Sequence, residues 1–577
     1  MISLATLNAA PLGEFVSALG GIFEHSPWVA ERAAGARPFA SRLRLHDAMC
    51  EVVSRSSQAE QLALIRAHPE LAGRAAILGE LTEESAGEQQ RAGLSSCTPE
   101  ELARIQSLNA AYSARFGWPF ILAVKGHTPA SVIAALERRV NHGAEDERAM
   151  SLDQIGRIAG FRLADQVDDA IGADVMAMCE KLARFSEQEG GLTCSYLSAA
   201  HQSAAALIRE WMLAAGLDAS IDAVGNVVGR LAASGPDAPT LITGSHYDTV
   251  TNAGKYDGRL GILLAVAVAA RIRRSGARLP YSLEIIAFAE EEGVRFKTTF
   301  LGSRAVVGRF DTAALDRVDG AGVTMAAAMR DAGLDPAQIP HVARAASDIR
   351  GFIEVHIEQG PVLLSENLPL GVVTSIAGST RALVTVEGLA GHAGTVPMNL
   401  RRDAAAAAAE IVLAVEKRCS QAPGLVGTVG RLNVPDGAVN VIPGRCELSI
   451  DVRAPDDATR NAAFDAIVAE SALIASRRNV AVDIRKVLEV NCVPCAPSLQ
   501  TRIAASIRAV TGAADPRRLP SGAGHDAMMM ASLTDVGMLF VRCGNGGISH
   551  HPAESLEQGD AELAGQALTH FLLNYEQ

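Results

Sequence analysis

Apolar positions along the chain follow two different periods. In residues 1–165 they recur at helical spacing. "TPEELARIQSLNAAYSARF" places Thr98 as an N-cap, Pro99 at the first helical position and Glu101 to close a capping box. Leu102, Ile105, Leu108, Tyr112 and Phe116 then fall on one side. "TPASVIAALERRV" repeats the arrangement with Val132, Ile133, Leu136 and Val140. No strand pattern interrupts this region, which predicts an all-α domain over 1–165.

From about Ala170 the pattern changes. Short apolar runs, "LITGSH", "YSLEIIAFA" and "FIEVHI", alternate with helical segments, which predicts an α/β domain with a largely parallel sheet. Near residue 379 it changes again. "TRALVTVEGLAGHAG" and "GRCELSIDVRAP" alternate like half-buried strands around the strong helix "RRDAAAAAAEIVLAVEKR". This predicts a smaller α+β unit, residues 379–489, inserted into a catalytic domain made of 170–378 and 490–577. The joint between the helical and α/β regions falls at 150–170 and is itself expected to be helical.

Composition narrows the classes. With 577 residues, 48% hydrophobic and 20% charged, the chain is globular and long enough for several cores. A net charge of -13 argues against a nucleic-acid or anionic-membrane surface. "GILLAVAVAA" stops at Arg271, too short to span a bilayer, and reads as a buried helix. The first residues, "MISLATLNAAPLGEFVSALGG", lack a basic segment, so no secretory signal is expected and the location is expected to be cytoplasmic. Nine cysteines suit reduced thiols, and Cys492 and Cys495 in "CVPC" read as structural.

In open α/β sheets functional groups gather beyond the carboxyl ends of strands. There the sequence places His246, Asp248 and Asp257 ("TGSHYDTVTNAGKYDG"), Glu290 to Glu292 ("AFAEEEG"), His356, Glu358 and Gln359 ("HIEQG"), and His550 and His551 ("ISHHPAE"). A His/Asp/Glu set without Cys suits zinc, manganese or cobalt. A carboxylate in a glycine turn can bend between two ions, and a free carboxylate beside them can move a proton. Hydrolysis of an amide-like bond is the predicted chemistry.

The motifs "GSHYDTV…GKYDGRLG", "EEGVRF", "HIEQGPVL", "GHAGTVPM", "NVIPG…DVR", "SGAGHDA" and "ISHHPAE", in this order, resemble the dinuclear-metal amidohydrolases, which include allantoate amidohydrolase, N-carbamoyl-L-amino-acid hydrolase and β-ureidopropionase. The resemblance implies two divalent ions, manganese or alternatively zinc, and makes 379–489 a lid that also forms a homodimer. His246, Asp257 and His356 would hold one ion, and Asp257, Glu292 and His550 the other. Glu291 would be the general base, and Asp248 would orient His246. His392 would stabilise the oxyanion, and Gln359, Asn440 and Arg453 would hold substrate, with His525 facing the site. The Glu triplet and His doublet each admit a shift of one register. Glu291 and Glu292 are assigned because they precede "GVRF", and His550 because it follows "IS".

In the helical region "RAHPELAGRAA", "LTEESAGEQQRAGL" and "ARFGWPFILAVKG" resemble 2-oxo-4-hydroxy-4-carboxy-5-ureidoimidazoline (OHCU) decarboxylase. That resemblance implies a cofactor-free lyase. His68 would be its acid/base, with Pro69 beside it in the substrate site; Ser85, Glu88 and Gln89 would grip the ureide, and backbone groups of Phe120, Ile121 and Val124 would contact the ring. Joined in one chain, the two halves imply urate breakdown, with ureide substrates, decarboxylation to (S)-allantoin and hydrolysis of allantoate. An N-carbamoyl-L-amino-acid hydrolase or β-ureidopropionase is the alternative for the second half. A non-catalytic binding module is the alternative for either.

Overall fold

The structure, a computed structural model, describes residues 1–71, 97–125, 127–235 and 238–576. The helices of the first region begin and end where the local chemistry dictates. Pro99–Phe116 has the Thr98/Glu101 capping box and stops at Gly117, whose φ of 75° is left-handed. Pro129–Arg139 is capped by Thr128 and Ser131. These helices enclose their own core, which includes Phe15, Phe23, Tyr112, Phe120 and Leu136. One strand does occur here: Ile2–Ser3 pairs in parallel with Val167–Asp168. The 23-residue helix Ala144–Gln166 carries the chain out of this region, so the predicted joint is helical as far as Gln166.

The main sheet has nine strands. Through its centre Val536–Val541, Ile349–Ile357, Thr240–His246 and Ser282–Phe288 run parallel in that spatial order. Both flanks are antiparallel: Val227–Leu231 and Asp218–Ile221 on one side, Leu370–Ile376 and Val493–Pro494 on the other. The sheet is therefore mixed, parallel only at its centre and where Arg518–Ser521 joins Leu370–Ile376. Thr240–His246 and Ser282–Phe288 are buried at every position, as strands covered on both faces must be. The apolar run lies in the helix Arg259–Arg274, which is buried along almost its whole length. Among the described residues no helix is long and apolar enough to cross a membrane.

A second sheet of four antiparallel strands runs in the order Val426–Asn433, Arg445–Ala454, Gly378–Glu387, Ala481–Val490. Arg445–Ala454 alternates buried and less buried positions, and its inward residues Cys446, Leu448, Ile450 and Val452 share a core with helices Ala404–Cys419 and Asp457–Arg478. Beside it Gly391–His392 pairs with Val441–Ile442 as a short ribbon.

Candidate metal centre

The central parallel strands deliver the side chains singled out from the sequence to one place. His246 ends Thr240–His246, His356 lies near the end of Ile349–Ile357, and Glu291 and Glu292 follow Ser282–Phe288. His550 follows Val536–Val541, and Asp257 stands two residues before the helix Arg259–Arg274. One ligand atom from each of His246, Asp257 and His356 lies within 4.8 Å of the others, and the same holds for Asp257, Glu292 and His550. Asp257 belongs to both groups. Its Oδ1 faces His356 Nε2 at 3.2 Å and His246 Nε2 at 3.6 Å, while its Oδ2 faces His550 Nε2 at 3.0 Å. His550 Nε2 is also 3.3 Å from Glu292 Oε1.

The donor set fits a cation. His356 Nδ1 is 2.8 Å from Ile357 O, and its Nε2 accepts the Gly258 N–H at 3.2 Å. The nitrogen facing Asp257 Oδ1 therefore presents a lone pair to a lone pair. Asp257 Oδ1 is buried and has no hydrogen-bond partner among the described residues. A buried carboxylate oxygen is not left against two imidazole nitrogens without something positive between them.

Backbone conformation holds these groups in place. Gly258 has φ +66°, and a Cβ there would lie 2.5 Å from the His246 ring, so only glycine lets Asp257 turn in beside His246. Glu290, Gln359 and His550 all have φ of 55°, an uncommon conformation for residues with side chains, and all three border the cluster. Asp248 is buried, with its backbone carbonyl 3.1 Å from His246 Nδ1. Its carboxylate accepts the N–H of Glu291 at 3.0 Å and of Glu292 at 3.1 Å. The contact with His246 at hydrogen-bond distance is thus made by the Asp248 backbone, whereas its side chain anchors the backbone of both glutamates.

Burial pushes the Glu291 carboxyl well above the usual range, with His246 opposing the shift and Glu292 adding to it. Burial also raises Glu292, to about 7. The Asp257 contact raises His550 to about 8. Glu291 is thus a shielded carboxyl beside the donor set.

The remaining expected residues are spread more widely. Gln359 Nε2 donates to Asp257 Oδ2 at 2.8 Å. His525 is buried, its ring packed edge-on against His356 at 4.5 Å and its Nε2 2.7 Å from Ser521 Oγ, so it backs His356 and is not open to the solvent. His392 and Asn440 are exposed on and beside the short ribbon, and no hydrogen bond among the described residues carries either to the cluster. Arg453 pairs with Asp451, Nη2 to Oδ2 at 3.0 Å, and its Nη1 donates to Gly522 O at 2.8 Å, linking the four-stranded unit to the main sheet. Sequence reading passed over Ser549 and Glu554, although both lie in the quoted "ISHHPAE".

In the helical region His68 caps the end of Gln58–Ala67 and is buried. Burial lowers it to about 4, with Glu24 opposing and Arg162 reinforcing the shift, so the ring is neutral. Its Nε2 has no hydrogen-bond partner among the described residues. Arg162 and Glu24 form a buried ion pair at 2.8 Å, which a lone acid and a lone arginine in the sequence gave no reason to expect. Pro69 follows His68 in the structure. Phe120, Ile121 and Val124 are buried, but Ile121 O is already taken by Arg139 at 2.7 Å. Ser85, Glu88 and Gln89 lie outside the described residues.

The mixed sheet, with a His/Asp/Glu donor set beyond the ends of its central strands, is the architecture of an α/β metallohydrolase. Residues 242–574 match the model of peptidase family M20/M25/M40, and the chain belongs to that family. Residues 8–164 match the OHCU decarboxylase model. The chain is 39% identical over 428 residues to allantoate deiminase of Arabidopsis thaliana, covering 69% of this chain and 81% of that one. It is 38% identical over 384 residues to an N-carbamoyl-L-amino acid amidohydrolase of Geobacillus stearothermophilus, covering 67% and 93%. Among solved structures an amidase of the hydantoinase/carbamoylase family from Burkholderia multivorans superposes with a TM-score of 0.66 at 30% identity, covering 70% of this chain and 97% of that one. The protein is a bifunctional enzyme, a lyase joined to a hydrolase.

Proposed function

We propose that the protein acts twice in urate breakdown. Its first half decarboxylates 2-oxo-4-hydroxy-4-carboxy-5-ureidoimidazoline to (S)-allantoin, and its second hydrolyses allantoate to ureidoglycine, ammonia and CO2. The observation that carries the hydrolytic reading is the buried, unpartnered Oδ1 of Asp257 set against two imidazole nitrogens.

His246, Asp257 and His356 hold one divalent ion in this reading, and Asp257, Glu292 and His550 the other; manganese suits the set, and zinc is the alternative. Such a pair, when bound, lowers the pKa of a shared water and polarises a carbonyl. Glu291 takes the proton from the attacking water on its carboxylate and returns it to the leaving nitrogen. Asp248 keeps Glu291 and Glu292 in register. Arg453 meets the substrate carboxylate, exchanging Asp451 for it, and His392 and Asn440 reach the site only when the four-stranded unit closes or a second copy supplies them, as in a homodimer. In the first half His68, neutral and with Nε2 unpartnered among the described residues, works without a cofactor as an acid/base: it takes the proton of the 4-hydroxyl as CO2 leaves and gives it to the neighbouring ureido-bearing carbon, so that the carbon that lost CO2 ends as a carbonyl.

The similarity to an allantoate deiminase and to an N-carbamoyl amino acid amidohydrolase is nearly equal, so it does not choose the substrate. Fusion to a decarboxylase of the ureide route favours allantoate. Ammonia release from allantoate by metal-stripped protein reloaded with Mn2+, lost in Asp257→Ala, tests both the site and the substrate. Good turnover of an N-carbamoyl amino acid with none of allantoate would overturn the substrate and keep the site.

A further inference from the structure

Glu554 contributes to the metal centre without touching the space between its ligands. Its buried carboxylate reaches the Asp257 turn, 297 residues away in sequence, where Oε1 accepts the N–H of Tyr256 at 2.8 Å and of Asp257 itself at 3.2 Å. Oε2 accepts the hydroxyl of Ser549, next to His550, at 2.7 Å. A Cβ at Gly254 would lie 2.2 Å from the Glu554 carboxyl carbon, so the first glycine of "GKYDG" leaves room for this side chain. The turn carrying Asp257 and the loop carrying His550 are thus fastened to each other through one carboxylate.

The Ser549 hydroxyl has a single proton and two acceptors in reach, Glu554 Oε2 at 2.7 Å and Asp257 Oδ2 at 3.0 Å. Whichever acceptor takes the proton decides what Asp257 Oδ2 can offer. If Ser549 donates to Glu554, Asp257 Oδ2 keeps a lone pair for a cation. If Ser549 donates to Asp257, its hydroxyl and the Gln359 amide, which donates to the same oxygen at 2.8 Å, take up both lone pairs.

We propose that Glu554 is a positioning residue of the metal centre: it fixes the Asp257 turn against the His550 loop and draws the Ser549 proton away from the shared carboxylate. This rests on the two-ion reading above. Two substitutions separate the parts of the role. Glu554→Ala removes both. Glu554→Gln keeps an acceptor for the two N–H groups, but its amide donates to Ser549 and so turns the hydroxyl toward Asp257. Ser549→Ala removes the hydroxyl and its choice.

The experiment is titration of the metal-free full chain with Mn2+, read as ions bound per chain and apparent Kd, beside the Tm of the metal-free form. Outer partners of metal ligands are worth about 10–100-fold in affinity. Glu554→Ala should weaken Mn2+ binding within that range and Glu554→Gln should weaken it less, while Ser549→Ala stays within about threefold of wild type. Adding Ser549→Ala to Glu554→Gln should restore affinity, which a merely structural role would not do. Should Glu554→Ala fail to fold, the isosteric Gln pair decides. Wild-type binding of two ions with Glu554→Gln unchanged overturns this inference alone, and so does failure of the double substitution to restore affinity. A wild type that takes up no Mn2+ overturns the two-ion reading with it.

Discussion

The carboxylate of Asp248 accepts the backbone N–H of Glu291 at 3.0 Å, and its second oxygen accepts that of Glu292. One side chain thereby sets the height of both glutamates, proposed above as proton carrier and metal ligand. Asp248→Ala should lower kcat of the hydrolytic half by about 10–100-fold, the usual cost of losing a partner behind a metal ligand. Asp248→Asn, which keeps one acceptor oxygen and turns an NH2 toward the other N–H, should fall between. Steady-state kinetics with Mn2+ saturating would show this, and an unchanged kcat in Asp248→Ala would refute it.

Gly258 is a tight point in the site, with φ +66° and the His246 ring 2.5 Å from any added Cβ. Gly258→Ala should cost about 1–3 kcal/mol in backbone strain alone. Because Asp257 must also move, Mn2+ uptake should drop with it. A Tm shift without loss of metal binding would mean that the turn relaxes elsewhere.

Arg453 forks onto Asp451 and reaches Gly522 O. Lysine keeps the charge but not the fork. If Arg453 pairs with a substrate carboxylate, Arg453→Lys should raise KM for allantoate about tenfold, the equivalent of losing one charge-assisted hydrogen bond, with kcat nearly unchanged. An equal fall in kcat and kcat/KM would instead place the contact in the transition state.

His68 is neutral in the fold because burial lowers it to about 4, below the ordinary imidazole value of 6.5. The unfolded chain therefore binds the proton first as pH falls. The stability tied to His68 is fully present above about 6.5 and is lost as pH falls toward about 4. Over that window His68→Gln should flatten the fall in denaturant midpoint. Decarboxylation by the same variant should drop by about 10²–10⁴-fold, the range for a positioned acid/base. A His68→Gln protein as fast as wild type would remove the residue from the chemistry.

Much of this architecture is legible from local signals. Thr98, Pro99 and Gly117 announce a helix because their preferences act within a few residues. The convergence of His246, Asp257 and His356 is legible because strand ends, glycine turns and His/Asp/Glu spacing fall together there. The antiparallel flanks of the main sheet are not, since Val227–Leu231 and Leu370–Ile376 have the same apolar composition as the parallel centre and direction is set only by pairing. Glu554 and the Glu24–Arg162 pair escape for the opposite reason. Each is an ordinary polar residue whose importance lies entirely in partners far along the chain.

The strand Val536–Val541 lies between Leu370–Ile376 and Ile349–Ile357, although it is made long after both. Until residue 541 is made, neither of those two earlier strands has the partner that joins them in the finished sheet, and His550 does not yet exist. A polypeptide arrested before residue 536 would carry an unfilled sheet edge and an incomplete set of donors. Maturation of the hydrolytic half is consequently a late event, governed by arrival of the final strand, whereas the helical half, with its own core, is free to fold first.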